Sequence, residues 1–195
     1  MTQKLATLAV ALVACAPATK LSTVQVTPET PRAKLRNVLV VGLVKDPAAR
    51  QSYETEMVKA LRGAGVKAES SQALLPIGEV PTREALQRLV AEREFDGAII
   101  GMLVDSRTEV RAVPPSGPAY YGYYGYSGWA APIAYSPGYL ETTTKVVVET
   151  RLFRIAGDAP VFSATSESVD PSSAKDVTEP LAKLVVAQLR KDGFV

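Results

Sequence analysis

Two different periodicities of apolar and polar positions divide this chain. Near-continuous apolar runs occupy residues 37 to 46 (NVLVVGLVKD) and 98 to 104 (AIIGMLV), the pattern of strands buried on both faces, as in a parallel sheet. Between them, Asp46 followed by Pro47 makes a helix start, because the carboxylate accepts from free amides and proline fits the first turn. Tyr53, Met57, Ala60 and Leu61 then fall at helical spacing, and the helix is expected to stop near Gly63 or Gly65. Val66 to Ser70 reads as a short second strand. Pro81 opens a second helix with Leu86, Leu89 and Val90 on one face, and Phe95-Asp96-Gly97 turns the chain into the third strand. Strand, helix, strand, helix, strand implies right-handed crossovers in a mostly parallel sheet.

Past Leu103 the pattern switches to strict alternation. In residues 105 to 113 one face carries Asp105, Arg107, Glu109 and Arg111, and the other Ser106, Thr108, Val110 and Ala112. In residues 142 to 155, Lys145, Glu149 and Arg151 share one face and Val146, Val148 and Leu152 the other. Such alternation belongs to a sheet with one solvated face, so the two segments are expected to pair as a long hairpin through residues 114 to 141. A short connection at 156 to 160 leads to a further strand at 161 to 169. A last helix follows Pro171, with Ser173 as cap, Asp176 completing a capping box and Gly193 closing the end. Pro180 conflicts with it locally, which a helix broken or starting there would resolve. The expectation is a single α/β domain over residues 37 to 195. Its mixed sheet has about five strands, the first three parallel and the last two antiparallel as a long hairpin extension, with helices packed on the sheet.

Before this domain the character changes twice. Residues 16 to 34 mix Pro17, Pro28 and Pro31 with Ser and Thr, so 15 to 36 reads as a flexible tether, with Val24-Gln25-Val26 as a short extended piece. Residues 1 to 14 place Lys4 ahead of an apolar run from Leu5 to Ala14, the form of a secretory leader. That run is half the roughly 20 residues a membrane-spanning helix needs. It ends in Leu12-Val13-Ala14-Cys15, which resembles the bacterial lipobox, and the resemblance implies lipidation of Cys15 as the mature N-terminus. Ala16, in place of aspartate, implies sorting to the outer membrane, with the domain in the periplasm.

Composition narrows the chemistry. The formal charge of +2 falls to +1 when the leader, with Lys4 and no acid, is removed, leaving no electrostatic footprint for nucleic acid. The chain has no histidine and one cysteine, Cys15, so Ser-His-Asp, Cys-His and histidine-based metal sites each lack a member, and no intrachain disulfide can form. No metal, cofactor or catalytic residue is expected. Gly42-Leu43-Val44-Lys45 lacks the spacing of a phosphate loop, and Gly63-Ala64-Gly65 follows a helix instead of opening one. Asp105, Glu109, Glu141 and Glu149 could serve a carboxylate-only glycan hydrolase. Their opposing reading is pairing of Glu109 and Glu149 with Arg107, Arg111, Lys145 or Arg151 across the strands.

The candidate binding surface is the aromatic insertion. AYYGYYGYSGW brings Tyr120, Tyr121, Tyr123, Tyr124 and Tyr126 together with Trp129, and Tyr135 and Tyr139 follow. Such rings bring large contact area at low rotamer cost and stack on sugars, so an envelope protein is the first expected partner and peptidoglycan the second. The glycines at 122, 125 and 128 favour the opposing reading, a loop whose rings pack among themselves.

The order of lipobox, tether, VLVVGLV, YETEMVKAL, FDGAIIGMLVDSRTEV, aromatic insertion, VVVETRLF, VFSATSESV and LRKDGFV resembles a group of small bacterial lipoproteins. Their domain is similar to the N-terminal domain of TolB and, more distantly, to CsgG and LpoB. The resemblance implies a non-enzymatic domain that binds protein partners during envelope assembly. The chain has neither a TolB-like propeller nor evident CsgG-like pore-forming hairpins. Metabolic labelling with a palmitate analogue is expected to mark the native chain and to be lost in Cys15→Ala; equal labelling of both would refute the lipobox reading.

Overall fold

A computed structural model describes residues 19–28, 33–75, 82–114, 138–155, 157 and 159–195. The chain order is β1 (Thr19–Val26), β2 (Asn37–Leu43), α1 (Pro47–Gly63), β3 (Lys67–Ser70), α2 (Ser71–Leu74), α3 (Arg83–Arg93), β4 (Gly97–Val113), β5 (Tyr139–Arg154), β6 (Pro160–Val169) and α4 (Ala174–Lys191). One six-stranded sheet runs β1-β6-β5-β4-β2-β3. β3, β2 and β4 are mutually parallel, whereas β4–β5, β5–β6 and β6–β1 are antiparallel. The expected mixed α/β sheet is therefore present, with a sixth strand added at its edge.

That sixth strand corrects the expected tether. Thr19–Val26 pairs along the whole of β6, from Thr19 opposite Ser168 to Val26 opposite Phe162. Leu21 and Val26 pack against the main core. The segment TKLSTVQV carries too few apolar positions to announce a strand alone; it is a strand because β6 presents an otherwise unpaired ladder. The leader, Cys15 and residues 16–18 lie outside the described residues.

Helices α1 and α4 cover one face of the sheet and bury Met57, Leu61, Leu181, Val185 and Leu189 against Val38, Val40, Ile99, Leu152 and Phe162. On the other face α2 and α3 cover only β2 and the start of β4, where Leu39, Val41 and Phe95 meet Leu86 and Val90. Asp46 caps α1 by accepting from the Ala49 amide at 2.8 Å. Thr82 caps α3, so that helix begins after Pro81, which lies outside the described residues. The ends of α1 and α4 share one device. Gly65 (φ 87°) and Gly193 (φ 82°) take the left-handed conformation. Beyond each, an apolar residue folds back: Val66 N–H donates to Leu61 O at 3.1 Å and Phe194 N–H to Leu189 O at 2.9 Å. These are Schellman ends, and both Val66 and Phe194 are buried in the core.

Pro180 does not break the last helix, contrary to expectation; α4 runs through it. Proline in a helix interior costs about 3 kcal/mol. The buried stripe Val177, Leu181, Val185 and Leu189 holds the helix on both sides of it, since each fully buried aliphatic side chain contributes about 1.5–3 kcal/mol.

The switch of periodicity at Leu103 has a structural cause. β4 is one continuous strand, and a register shift between Leu103 and Asp105 makes Val104 an extra residue, a β-bulge. The bulge inverts the parity of the alternation, so Ile99 and Leu103 before it share a face with Ser106 and Val110 after it.

Candidate functional site

β4 outruns its neighbours. Its pairing with β2 ends at Leu43 opposite Met102, and β5 loses β6 beyond Lys145 opposite Val169. From there to Val113 opposite Tyr139, β4 and β5 continue as a two-stranded stem. The segment the sequence singled out, Tyr120, Tyr121, Tyr123, Tyr124, Tyr126, Trp129 and Tyr135, lies outside the described residues. Tyr139 alone among those aromatics is described, exposed at the outer end of β5.

The two faces of the stem differ completely in charge. On one, the opposed pairs are Ser106–Val146, Thr108–Thr144, Val110–Thr142 and Ala112–Leu140, with no ionisable group. Thr108 and Thr144 hydroxyls meet at 3.3 Å. On the other, Arg107 stands directly opposite Lys145 and Arg111 opposite Glu141. Glu109 relieves the Arg107–Lys145 opposition, lying 3.0 Å from Arg107 Nε and 3.6 Å from Lys145 Nζ. Arg107 also lies 3.6 Å from Asp105, and Arg151 3.0 Å from Glu149. Most of these pairs run along one strand, and only Glu109–Lys145 crosses; Arg111 forms no ion pair within 4 Å among those recorded for the described residues. All are solvent-exposed to some degree, so each contributes roughly 0.2–1 kcal/mol before screening.

Register also bears on glycan hydrolysis. Glu109 stands opposite Thr143, six residues along β5 from Glu149. At about 3.4 Å per residue these carboxylates are about 20 Å apart, against the roughly 5–9.5 Å that paired-carboxylate glycosidases use. Among the described residues, no group of three or more acidic or other ligating side chains is placed to hold a metal ion.

Where the stem joins the body, a cleft of about 230 Å³ opens between it and the helices. Tyr53, Leu103, Val146, Val148 and Val177 line it, with Pro171, Ser172 and Ser173 at its rim. Tyr53 forms its floor. A Cβ built on Gly101 would lie 2.1 Å from Tyr53 Cζ, so glycine at 101 is what lets the ring lie flat on β4. The phenol approaches Thr150 Oγ1 at 3.4 Å. Burial, foremost, pushes the Tyr53 hydroxyl well above the ordinary tyrosine range; the Thr150 hydrogen bond opposes this and the charge of Glu54 adds to it. A larger depression of about 530 Å³ lies beside the β3 edge, lined by Val58, Arg62 and Ala73, and its Glu69 is held by Lys67 and Arg93.

Sequence reasoning missed one constellation entirely. Glu54 is fully buried in α1. Its Oε1 accepts from Gly42 N–H (2.9 Å), Ser71 Oγ (2.8 Å) and Arg50 Nε (3.1 Å). Its Oε2 accepts from Ser70 Oγ (2.5 Å) and Gln72 N–H (2.9 Å). Arg50, also buried, donates to Ser71 Oγ at 3.1 Å. With five donors on two oxygens, the carboxylate is saturated, so it acts as a clamp joining α1, β2 and the β3–α2 turn, with no lone pair left for a substrate. The available signal was the position of Arg50 and Glu54 four apart on the same helical side as Met57 and Leu61. Gly42, dismissed above as a phosphate loop, is part of this clamp: a Cβ there would meet Arg50 Cγ at 3.0 Å.

No family model and no curated protein sequence matches the chain. Solved structures that resemble it include the PelC dodecamer from Paraburkholderia phytofirmans, 15% identical with a TM-score of 0.46, covering 90% of this chain and 96% of that one. They also include lipoprotein GNA1162 from Neisseria meningitidis, 14% identical with a TM-score of 0.44, covering 80% and 99%. Overlays this loose assign no function to this chain.

Replacing Glu54 by Ala leaves the Arg50 charge buried without its carboxylate and is expected to cost about 3–5 kcal/mol. Adding Arg50→Met should recover only part, since the Gly42 amide and the Ser70 and Ser71 hydroxyls still lose the acceptor they had in Glu54. Urea midpoints at constant slope measure both. For Tyr53, a raised folded pKa means that the native state keeps its proton where the unfolded chain loses it. This group therefore leaves stability intact below about pH 10, the unfolded value, and subtracts from it as pH rises further. Tyr53→Phe is expected to lose less stability than the native chain above about pH 10, read by thermal unfolding at stepped pH.

Proposed function

We propose that this chain is a non-enzymatic, lipid-anchored outer-membrane protein whose periplasmic domain contacts an envelope protein through its projecting hairpin. The stem carries the reading. A two-stranded ribbon beyond its sheet is marginal in water, and this one holds an ordered ladder of charges on one face that a partner can meet by complementary charge. The leader ending at Cys15 supports the address and Ala16 the choice of membrane. The resemblance in feature order to the group similar to the TolB N-terminal domain, distantly to CsgG and LpoB, supports an assembly role in place of a catalytic one. The distance between Glu109 and Glu149 weighs against glycan hydrolysis by that pair.

A second reading, peptidoglycan binding by Tyr121, Tyr124, Tyr126 and Trp129, is favoured by the density of rings inserted between β4 and β5. Replacing residues 120–129 by a Gly/Ser linker, with Arg107→Glu made separately, distinguishes them. Under the first reading both changes remove a protein crosslink in whole cells, and retention on purified sacculi is negligible throughout. Unchanged crosslinks in both variants would sink it, and ring-dependent retention on sacculi would establish the second.

A further inference from the structure

We infer that the outer end of the hairpin stem lies in the headgroup zone of the bilayer that holds the N-terminal lipid. The inference rests on lipidation of Cys15, and deepens that reading by assigning the stem's uncharged face to lipid and its charged face to the protein partner.

Three lengths lead to it. Thr19 stands opposite Ser168, Ser168 opposite Val146, and Val146 opposite Ser106. These four residues form one row across the sheet. The first strand begins at that row, so the chain between it and the lipidated residue is only Ala16, Pro17 and Ala18. Four Cα steps span at most about 14 Å. From the same row, and on the same side of it, the stem runs seven residues further, from Val146 to Tyr139 and from Ser106 to Val113. At about 3.4 Å per residue that is about 24 Å. Sheet twist over the two strand steps from β1 to β5 turns the stem by about 45°, which leaves about 17 Å of its length along the direction of β1. The stem thus reaches further than the spacer that ties the domain down.

The exposed side chains decide how the domain sits. If the outer edge of β1 faced the bilayer, it would offer Lys20, Ser22 and Gln25. With the stem directed at the bilayer, its uncharged face offers Leu140 (71% exposed) and Val110 (61%), and Tyr139 (57%) stands at the outer end of the opposite face. Apolar groups and tyrosine are favoured at that depth. The charges on the opposite face, Asp105, Glu109 and Glu141 against Arg107, Arg111 and Lys145, sum to zero. Attachment of the stem therefore does not call for anionic lipid.

The test uses the full acylated chain in phosphatidylcholine vesicles. A fluorophore is placed at Leu140→Cys, Val110→Cys or, at the opposite end of the sheet, Lys67→Cys. Acylation leaves no other free thiol, because Cys15 is the only native cysteine. All three sites are exposed, so labelling leaves the core intact. Nitroxide-labelled lipid is expected to quench positions 140 and 110 at least about twofold, at low and high salt alike, and to leave position 67 unaffected. Mass analysis of the N-terminal peptide reports the anchor separately. Acylated chain with no quenching at 140 or 110 overturns the inference and leaves the anchor standing; a chain without lipid on Cys15 overturns both. Shielding of position 140 that appears in detergent and grows with protein concentration also overturns it, because a second copy then covers the stem.

Discussion

The saturated carboxylate of Glu54 fixes the geometry on which the rest of the domain depends. A buried ion is tolerated only when its hydrogen-bonding capacity is filled, and Gly42, Arg50, Ser70, Ser71 and Gln72 fill it. Those partners come from β2, α1 and the β3–α2 turn, so α1 cannot slide along the sheet without exposing an unpaired charge. An apolar contact of the same area would tolerate such a slide. With α1 fixed, Tyr53 is held flat on Gly101, and the ring closes the core at the level where β4 leaves the body.

Beyond that level the same strand enters a different environment. Up to Met102, β4 is flanked by β2 and β5, and as far as Gly101 it is covered on both faces. After the bulge at Val104 it has one neighbour and no helix layer. The bulge makes this change without a break in the ladder, because one extra residue inverts the parity of the faces and adds twist. A two-stranded ribbon of this length gains little from its exposed ion pairs. The stem is a surface held out from a fixed base, uncharged on one face and charged on the other.

Much of the domain was legible from periodicity because local rules and tertiary packing agree there. Asp46-Pro47 starts α1, Ser173 and Asp176 cap α4, Gly65 and Gly193 end their helices, and the alternation in 105–113 and 142–155 assigns the stem faces correctly. Three features escaped. Thr19–Val26 lacks a strand-like apolar pattern, and its order comes from the vacant edge of β6. Pro180 should have interrupted α4, but burial on both sides of it outweighs the missing hydrogen bond. Arg50 and Glu54 look like one more helical surface pair, since nothing local shows that Gly42 and the β3–α2 turn close over them.

The sequence by itself determined the order of the main elements from β2 to α4 and the parallel and antiparallel halves of the sheet, because each depends on spacing within a short window. Only the tertiary structure decided that β1 begins at Thr19, that Glu54 is sealed at the sheet end, and that β1 starts at the end of the sheet from which the stem projects. Those facts depend on contacts between residues over 100 positions apart, such as Thr19 beside Ser168, or on a cavity filled from three elements at once. No local pattern encodes them.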